Sequence, residues 1–298
     1  SERFIVSSLP EVSVTKLDQF ESVFKSASKE RFVLEPVSIE RVAVVTDLDE
    51  YGAALFTKYL EDFLAVLGDG VQWRSLHRGH FGTVKEMLEL IEQGRPDLIC
   101  TYRNLNDSAR SWPYSLGVHL DVLTQVTSTP VLVLPDPDRE TSAATPPETT
   151  SSVLVVTDHL TGQDRLVSYG AHFTAPDGTL FLGHVEDDSI FERYADVLSK
   201  IPSIDTAPAT EAIRRQLLKE PADYILSCQQ VLEQRPDQGI QVESVIMLGH
   251  LLEDYKRLIE QHEIDLLVLN TKDDDQLAMH GLAYPLAIEM RNVPLLLL

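Results

Sequence analysis

Val42-Ala43-Val44-Val45-Thr46-Asp47 and Val153-Leu154-Val155-Val156-Thr157-Asp158 share one pattern: a short apolar run closed by Thr-Asp. The run is continuously apolar rather than alternating, as a strand covered on both sheet faces requires. A second pair repeats it: Arg95-Pro96-Asp97-Leu98-Ile99-Cys100 is answered by Glu263-Ile264-Asp265-Leu266-Leu267-Val268. Each half then closes with a glycine, an amphipathic stretch, a proline and an apolar run. Gly117 leads to Pro130 and Val131–Leu134, and Gly281 leads to Pro294 and Leu295–Leu298, with the same 13-residue step from glycine to proline. Four landmarks in one order point to a tandem repeat of one unit.

Between the halves, residues 135–152 hold four prolines, many small hydroxylic residues and no large apolar side chain. Such a segment buries too little surface to offset chain entropy and reads as an exposed linker. The organisation is a first domain over 1–135, with an N-terminal arm over 1–40, a linker over 136–150, and a second domain over 151–298.

Helical patterns separate the strands. Leu55, Tyr59, Phe63 and Val66 recur at helical steps after the first strand. Thr83-Val84-Lys85-Glu86 has capping-box spacing ahead of a stripe of Val84, Met87, Leu88 and Ile91, with Gly94 as a stop. Leu251, Leu252, Tyr255, Leu258 and Ile259 repeat that stripe in the second half. Strands alternating with helices give βαβ units and a mostly parallel sheet with helices on both faces.

The second half reads as five strands, near 153–157, 179–185, 240–246, 265–270 and 294–298. A long helical elaboration, 186–238, stands between the second and third. The first half has one strand, Val71–Leu76, where the second has two. The N-terminal arm offers strand-like Phe4–Ser7 and Phe32–Leu34, and a helix with Leu17, Phe20, Val23 and Phe24 on one face. The expectation is that this arm fills the vacant sheet edge of the first domain.

Charge limits function. The 298 residues carry 25 basic and 47 acidic side chains, a net −22. Nucleic-acid and anionic-membrane partners, which need a cationic face, are excluded. Residues 1–135 hold 13 basic and 19 acidic groups, and residues 151–298 hold 11 and 24. Cys100 and Cys228 lie in apolar contexts and build no disulfide framework, which suits a cytoplasmic protein. Ser1–Val6 lacks the form of a signal peptide, and no run reaches the ~20 apolar residues of a membrane span.

In open parallel sheets ligands bind beyond the carboxyl ends of the strands. Thr46, Asp47, Thr157 and Asp158 end the first strand of each half. Tyr102 with Arg103, and Asn270 with Thr271, end the fourth, and Gly117 and Gly281 precede helices whose N-termini attract anions. Asp47 and Asp158 are either ligand contacts or caps of the following turn. Among nine histidines, His77-Arg78-Gly79-His80 and Gly249-His250 follow strands, making His80 and His250 secondary candidates. No zinc-ligand spacing is present. Asp273-Asp274-Asp275 lacks the features of a calcium loop and reads as solvated. No residue set has the signature of a catalytic triad, so no catalytic residue is assigned.

These landmarks resemble the universal stress protein family in its tandem form, over about 42–134 and 153–298. The resemblance implies five-stranded, flavodoxin-like α/β domains that pair through their last strands. Some members bind ATP, with the Asp ending the first strand near adenosine and a Gly-x2-Gly-x9-Gly-Ser/Thr segment around the phosphates. This chain departs from that segment. Tyr102, Leu105 and Gly117-Val118 stand at its positions in the first half, and Asn270, Asp273 and Gly281-Leu282 in the second. Gly117 lies 15 residues after Tyr102, and Gly281 lies 11 after Asn270, where the motif needs 13. Side chains replace the glycines that let a backbone approach phosphate, and Asp273–Asp275 repel polyphosphate.

The expectation is therefore a non-enzymatic binding or regulatory module, with a small molecule or a protein as partner. Residues 131–134 and 295–298 would pair within the chain as an internal pseudo-dimer, leaving another surface for a homodimer. An adenine-nucleotide sensor or weak ATPase holding ATP or AMP in an unconventional pose remains an alternative, as does an apolar-ligand carrier built on the helical elaboration.

Overall fold

The computed structural model describes residues 30–106, 116–137, 147–157, 159–203, 205–235, 239–271 and 282–298. Among the described residues nine strands join in one sheet: β1 (Arg41–Val45), β2 (Gln72–Leu76), β3 (Leu98–Tyr102), β4 (Val131–Leu134), β5 (Ser152–Val156), β6 (Thr179–Asp187), β7 (Gln241–Gly249), β8 (Leu266–Leu269) and β9 (Leu295–Leu297). Their order is β2-β1-β3-β4-β9-β8-β5-β6-β7. Every neighbouring pair is parallel except β4 with β9, where Val131, Leu132 and Val133 face Leu297, Leu296 and Leu295.

The eight helices are α1 (Glu50–Phe63), α2 (Val84–Gly94), α3 (Val118–Val126), α4 (Asp164–Phe173), α5 (Asp188–Ser199), α6 (Thr206–Leu232), α7 (Leu251–Gln261) and α8 (Ala283–Glu289), counted among the described residues. They cover both sheet faces. A side chain at Gly170 on α4 would collide with Val155 and Leu180, whereas one at Gly183 on β6, facing the other way, would collide with Tyr255 on α7. The fold is α/β with a mostly parallel sheet, and β1, β3, β4, β5, β8 and β9 are buried along nearly their whole length. This is why their sequences run apolar without alternation.

The matched landmarks take the same hydrogen bonds in each half. Asp97 Oδ2 accepts from Arg41 N (2.9 Å), and Asp265 Oδ2 accepts from Ser152 N (2.9 Å). Ile99 N donates to Pro130 O, and Leu267 N to Pro294 O, both at 3.0 Å. Arg103 N donates to Leu134 O, and Thr271 N to Leu298 O, again at 3.0 Å. The repeated Asp, before β3 in one half and β8 in the other, is thus a structural clamp on the start of β1 and of β5.

Several local expectations hold in the structure. Thr83 and Glu86 form the reciprocal capping box of α2. Cys100 and Cys228 are buried free thiols. The region 189–234 is two helices, α5 and α6, and α6 buries Tyr224, Ile225 and Cys228. Others need correction. Leu55 is exposed, because the inward face of α1 is phased by Ala53, Leu60 and Phe63. Helix α2 is closed by Arg95 in the left-handed region, one residue beyond Gly94. Phe32–Leu34 is extended but pairs with no strand; it docks on α4 and α6, far along the chain from the edge it was expected to fill. Within the described residues the first half supplies four strands and β2 is the sheet edge. Phe4–Ser7 and the 17–24 helix lie outside the described residues.

Contacts between the halves go beyond β4 and β9. Helix α4 packs on the short turn at 65–67, and Tyr59 OH ties the first half to the linker by donating to Pro147 O (3.0 Å). The Arg103 guanidinium is buried and donates through Nη2 to Ala287 O and to Met290 O (2.8 Å), at the carbonyl end of α8 where a cation is favoured. Arg103→Ala removes charge-assisted bonds from a dry site and is expected to lower unfolding free energy by about 2–4 kcal/mol. Urea denaturation checks this, and a variant within about 0.5 kcal/mol of the parent refutes the bridging role.

Candidate functional site

Strand register places a row of side chains across the carboxyl ends of each half. In the first, Val44 opposes Cys100 and Val45 opposes Leu76, so the next residues along, Tyr102, Thr46 and His77, share one level. In the second, Val156 opposes Leu269 and Gly183, so Asn270, Thr157 and His184 share the corresponding level. The polar rows follow the apolar ends of β1 and β5, where the crevice of a parallel sheet lies, and β6 runs on past His184 to Asp187.

The first row is closed on itself. Tyr102 OH pairs with Thr46 Oγ1 (2.9 Å), accepts from Asp47 N (3.1 Å) and donates to Asp47 Oδ1. Asp47 Oδ2 accepts from Asn106 N (2.9 Å), so both carboxylate oxygens are engaged. Arg78 Nε donates to Asp47 O (2.9 Å), and Arg78 N to Leu48 O (3.1 Å), tying the chain after β2 to the turn after β1. Phe56 on α1 meets the Tyr102 ring edge to face at 5.2 Å. Burial, then the bond to Asp47, push the Tyr102 phenol well above the usual tyrosine range, so it stays a neutral donor.

The loop after β3 completes the closure. Asn104 and Asn106 both have positive φ, a conformation asparagine tolerates better than most residues. Asn104 N donates to Leu116 O (3.1 Å), and its Nδ2 donates to Asp136 Oδ2 (3.0 Å). Gly117, at φ +103°, starts α3 against this turn, and a Cβ there would lie 3.1 Å from Asn104 Cα. Its glycine character therefore serves close packing of the loop. Asp47 is not the helix cap; Asp49 is, accepting from Gly52 N at 2.8 Å.

The second row differs. Asn270, shorter than Tyr102, is half-buried, as is Thr157, whose Oγ1 lies 3.4 Å from His159 O. His184 is buried at 2% exposure, with Nε2 3.1 Å from Glu186 Oε2 and no hydrogen-bond partner for Nδ1. The His159 ring lies 6.4 Å away. Burial holds the His184 imidazole below its ordinary range; Glu186 and Glu220 oppose that shift and His159 adds to it. Asp158, Gly281 and Asp273–Asp275 lie outside the described residues.

The histidines need a second correction. His80 and His250 do not correspond. His80 Nδ1 accepts from His77 N (3.1 Å) within a tight turn, whereas His250 begins α7 and donates its N–H to Asp254 Oδ2 (2.7 Å). The chain connection suggested their pairing, but β2 neighbours β1 as β6 neighbours β5, so the register matches His77 with His184. Arg78, Asn106 and His184 are the contributors that sequence reading passed over. Aligning β2 with β6 by their register against β1 and β5 finds the histidine, which lies inside β6; nothing local marks the other two. No group of three metal-ligating side chains is assembled among the described residues. A cavity of about 220 Å³ lies at the opposite, amino end of β1 and β2, beside Arg41, Trp73 and Pro96.

No protein-family model matches the chain, and no curated protein matches it. Solved structures similar to it include a protein assigned as a universal stress protein from Pseudomonas aeruginosa UCBPP-PA14, at 13% identity and TM-score 0.48, covering 97% of this chain and 90% of that one. A functionally unknown protein from Pseudomonas aeruginosa PAO1 is similar at 12% identity and TM-score 0.46, over 98% and 89%. A universal stress protein from Archaeoglobus fulgidus is similar at 15% identity and TM-score 0.43, over 87% and 85%. At these values the likeness assigns neither family nor function to this chain.

Two measurements test the site geometry. Tyr102→Phe strips a buried hydroxyl from Thr46 and Asp47 and is expected to cost about 1–3 kcal/mol in urea unfolding; a neutral outcome removes the lock. For His184, folding holds the ring neutral while the unfolded chain protonates near the ordinary pKa of 6.5. Stability is therefore full above that pH and falls as the pH drops below it, until the lowered folded-state pKa is reached. His184→Asn should flatten the stability difference between pH 7.5 and 5.5, and equal slopes for the two proteins contradict the assignment.

Proposed function

We propose that the chain is a tandem universal-stress-type protein, with domains over 1–135 and 151–298 joined by a linker over 136–150. It acts as a non-enzymatic binding or regulatory module in stress response and does not hold ATP by the family's glycine loop. The closed row of Tyr102, Thr46 and Asp47 carries this reading. A phenol hydroxyl occupies the strand-end position, both oxygens of the Asp47 carboxylate are already engaged, and Gly117 packs against its own loop. A nucleotide entering there would have to break three side-chain contacts and expel an aromatic ring from under Phe56. The shared register of the two halves and the β4–β9 pairing support the tandem organisation.

A second reading, an adenine-nucleotide sensor, is favoured by one observation: Asn270 stands where Tyr102 closes the first half, so the second crevice lacks the phenol lock. Mass spectrometry of small molecules released from the denatured protein separates the two. No stoichiometric adenine nucleotide, and no thermal shift in millimolar Mg-ATP for the parent chain, is the expected result. A bound nucleotide lost on Asn270→Tyr but kept in Tyr102→Phe would replace the first reading by the second.

A further inference from the structure

Residues 30–37 cross onto the second half in a way that neither the sheet nor the crevice requires. The segment is extended and places alternate side chains inward: Phe32 is 4% exposed, Val33 is 63% exposed, and Leu34 packs against the core again. Phe32 packs against α6, where its ring meets Tyr224 edge to face at 6.3 Å. Tyr224 is held in turn by its hydroxyl, which donates to Asp164 Oδ1 on α4 (2.6 Å). The aromatic contact is thus made on α6 and braced across to α4.

The groove grips main chain with side chains. Phe32 N donates to Ser227 Oγ on α6 (2.9 Å), and Glu35 N donates to Ser168 Oγ on α4 (2.9 Å). Ser227 is oriented by donating to Tyr224 O (2.6 Å). Among the described residues, no hydrogen bond from main chain to main chain joins 30–37 to the body. Pro36 offers no N–H, and Arg31, Val33, Glu35 and Pro36 remain exposed. A pocket for one aromatic ring, a second apolar contact two residues on, and two hydroxyls reading backbone N–H groups are the elements of extended-peptide recognition. Such contacts read a pattern, not this particular segment.

We propose that the α4–α6 groove is a docking site for an extended peptide of a partner protein. The peptide carries an aromatic residue two places before an aliphatic one, and residues 30–37 are the displaceable resident that competes with it. The tether to β1 keeps the resident at a high effective concentration, so the strap sets a threshold that a partner must exceed. This site is separate from the strand-end crevice and stands whether or not that crevice takes a ligand.

The test uses a fluorescent peptide of residues 30–38 and the full chain. Phe32→Ala empties the aromatic pocket of its resident and is expected to bind the peptide saturably in fluorescence anisotropy. The parent chain, with its strap in place, should bind at least about tenfold more weakly, and a peptide with alanine in place of its Phe should bind neither. Failure of the peptide to bind a folded Phe32→Ala chain overturns the proposal, as does equal binding to both chains. Should that variant not fold, a protease site inserted after the exposed Ser38 severs the tether. Displacement of the cut segment by the peptide on size exclusion supports the proposal, and a cut segment that does not exchange overturns it. A parent dimer that the peptide disperses also overturns it, by making a second copy's strap the occupant.

Discussion

The antiparallel pairing of Val131–Val133 with Leu295–Leu297 is the constraint on which the rest depends. Each of these strands is apolar on both faces and ends its half of the chain. Left unpaired, either would be a flat hydrophobic edge, the kind that recruits other chains. Joined, they turn two parallel sheets into one of nine strands and bury both seams. The charged crossing contact follows from that geometry: bringing β4 beside β9 puts Arg103 under the carbonyl end of α8, where its guanidinium finds Ala287 O and Met290 O. The equivalent position in the second half is Thr271, which merely returns a hydroxyl to Leu298 O (2.7 Å). The two halves therefore meet with matching backbones and unmatched side chains.

Much of the architecture was legible because burial on both faces leaves an unambiguous trace, a short apolar run between polar boundaries. The matched Asp, Pro and Gly landmarks added topology, since each fixes a backbone bond that any copy of the unit must make: Asp97 with Arg41 and Asp265 with Ser152 are the same bond made twice. What resisted reading was the choice between two surfaces of similar composition. Helix α1 carries Leu55 and Leu60 about 140° apart around its axis, and only the tertiary partner decides that Leu60 goes inward. Phe32-Val33-Leu34 has the alternation of a half-buried strand, yet helices can bury one face of an extended segment as well as a sheet can.

The site was legible by position and illegible by contact. Strand ends placed Thr46, Asp47 and Tyr102 together before any distance was known, but hydroxyl and carboxylate chemistry alone does not say whether they face a ligand or one another. Here they face one another. The histidine error has a similar source. Sequence order paired the strand before α2 with the strand before α7, whereas sheet order puts β2 beside β1 in the place of β6. One missing strand in the first half moves the apparent partner of β2 by one strand and leaves β1 matched with β5.

Asymmetry between the crevices finally gives the acidic charge a structural meaning. At one register level the first half carries Tyr102 and the second carries Asn270, so a single ring decides whether the strand ends are sealed from within. The sealed crevice lies in the half with 13 basic and 19 acidic residues, and the one without the phenol in the half with 11 and 24. Where the lock is absent, the surroundings bring Glu186 and Glu220 close enough to act on His184. Two carboxylates acting on one buried imidazole make that level less hospitable to a further negative charge than to a neutral group. The same register level is thus closed by a phenol in one half and set among carboxylates around an imidazole in the other.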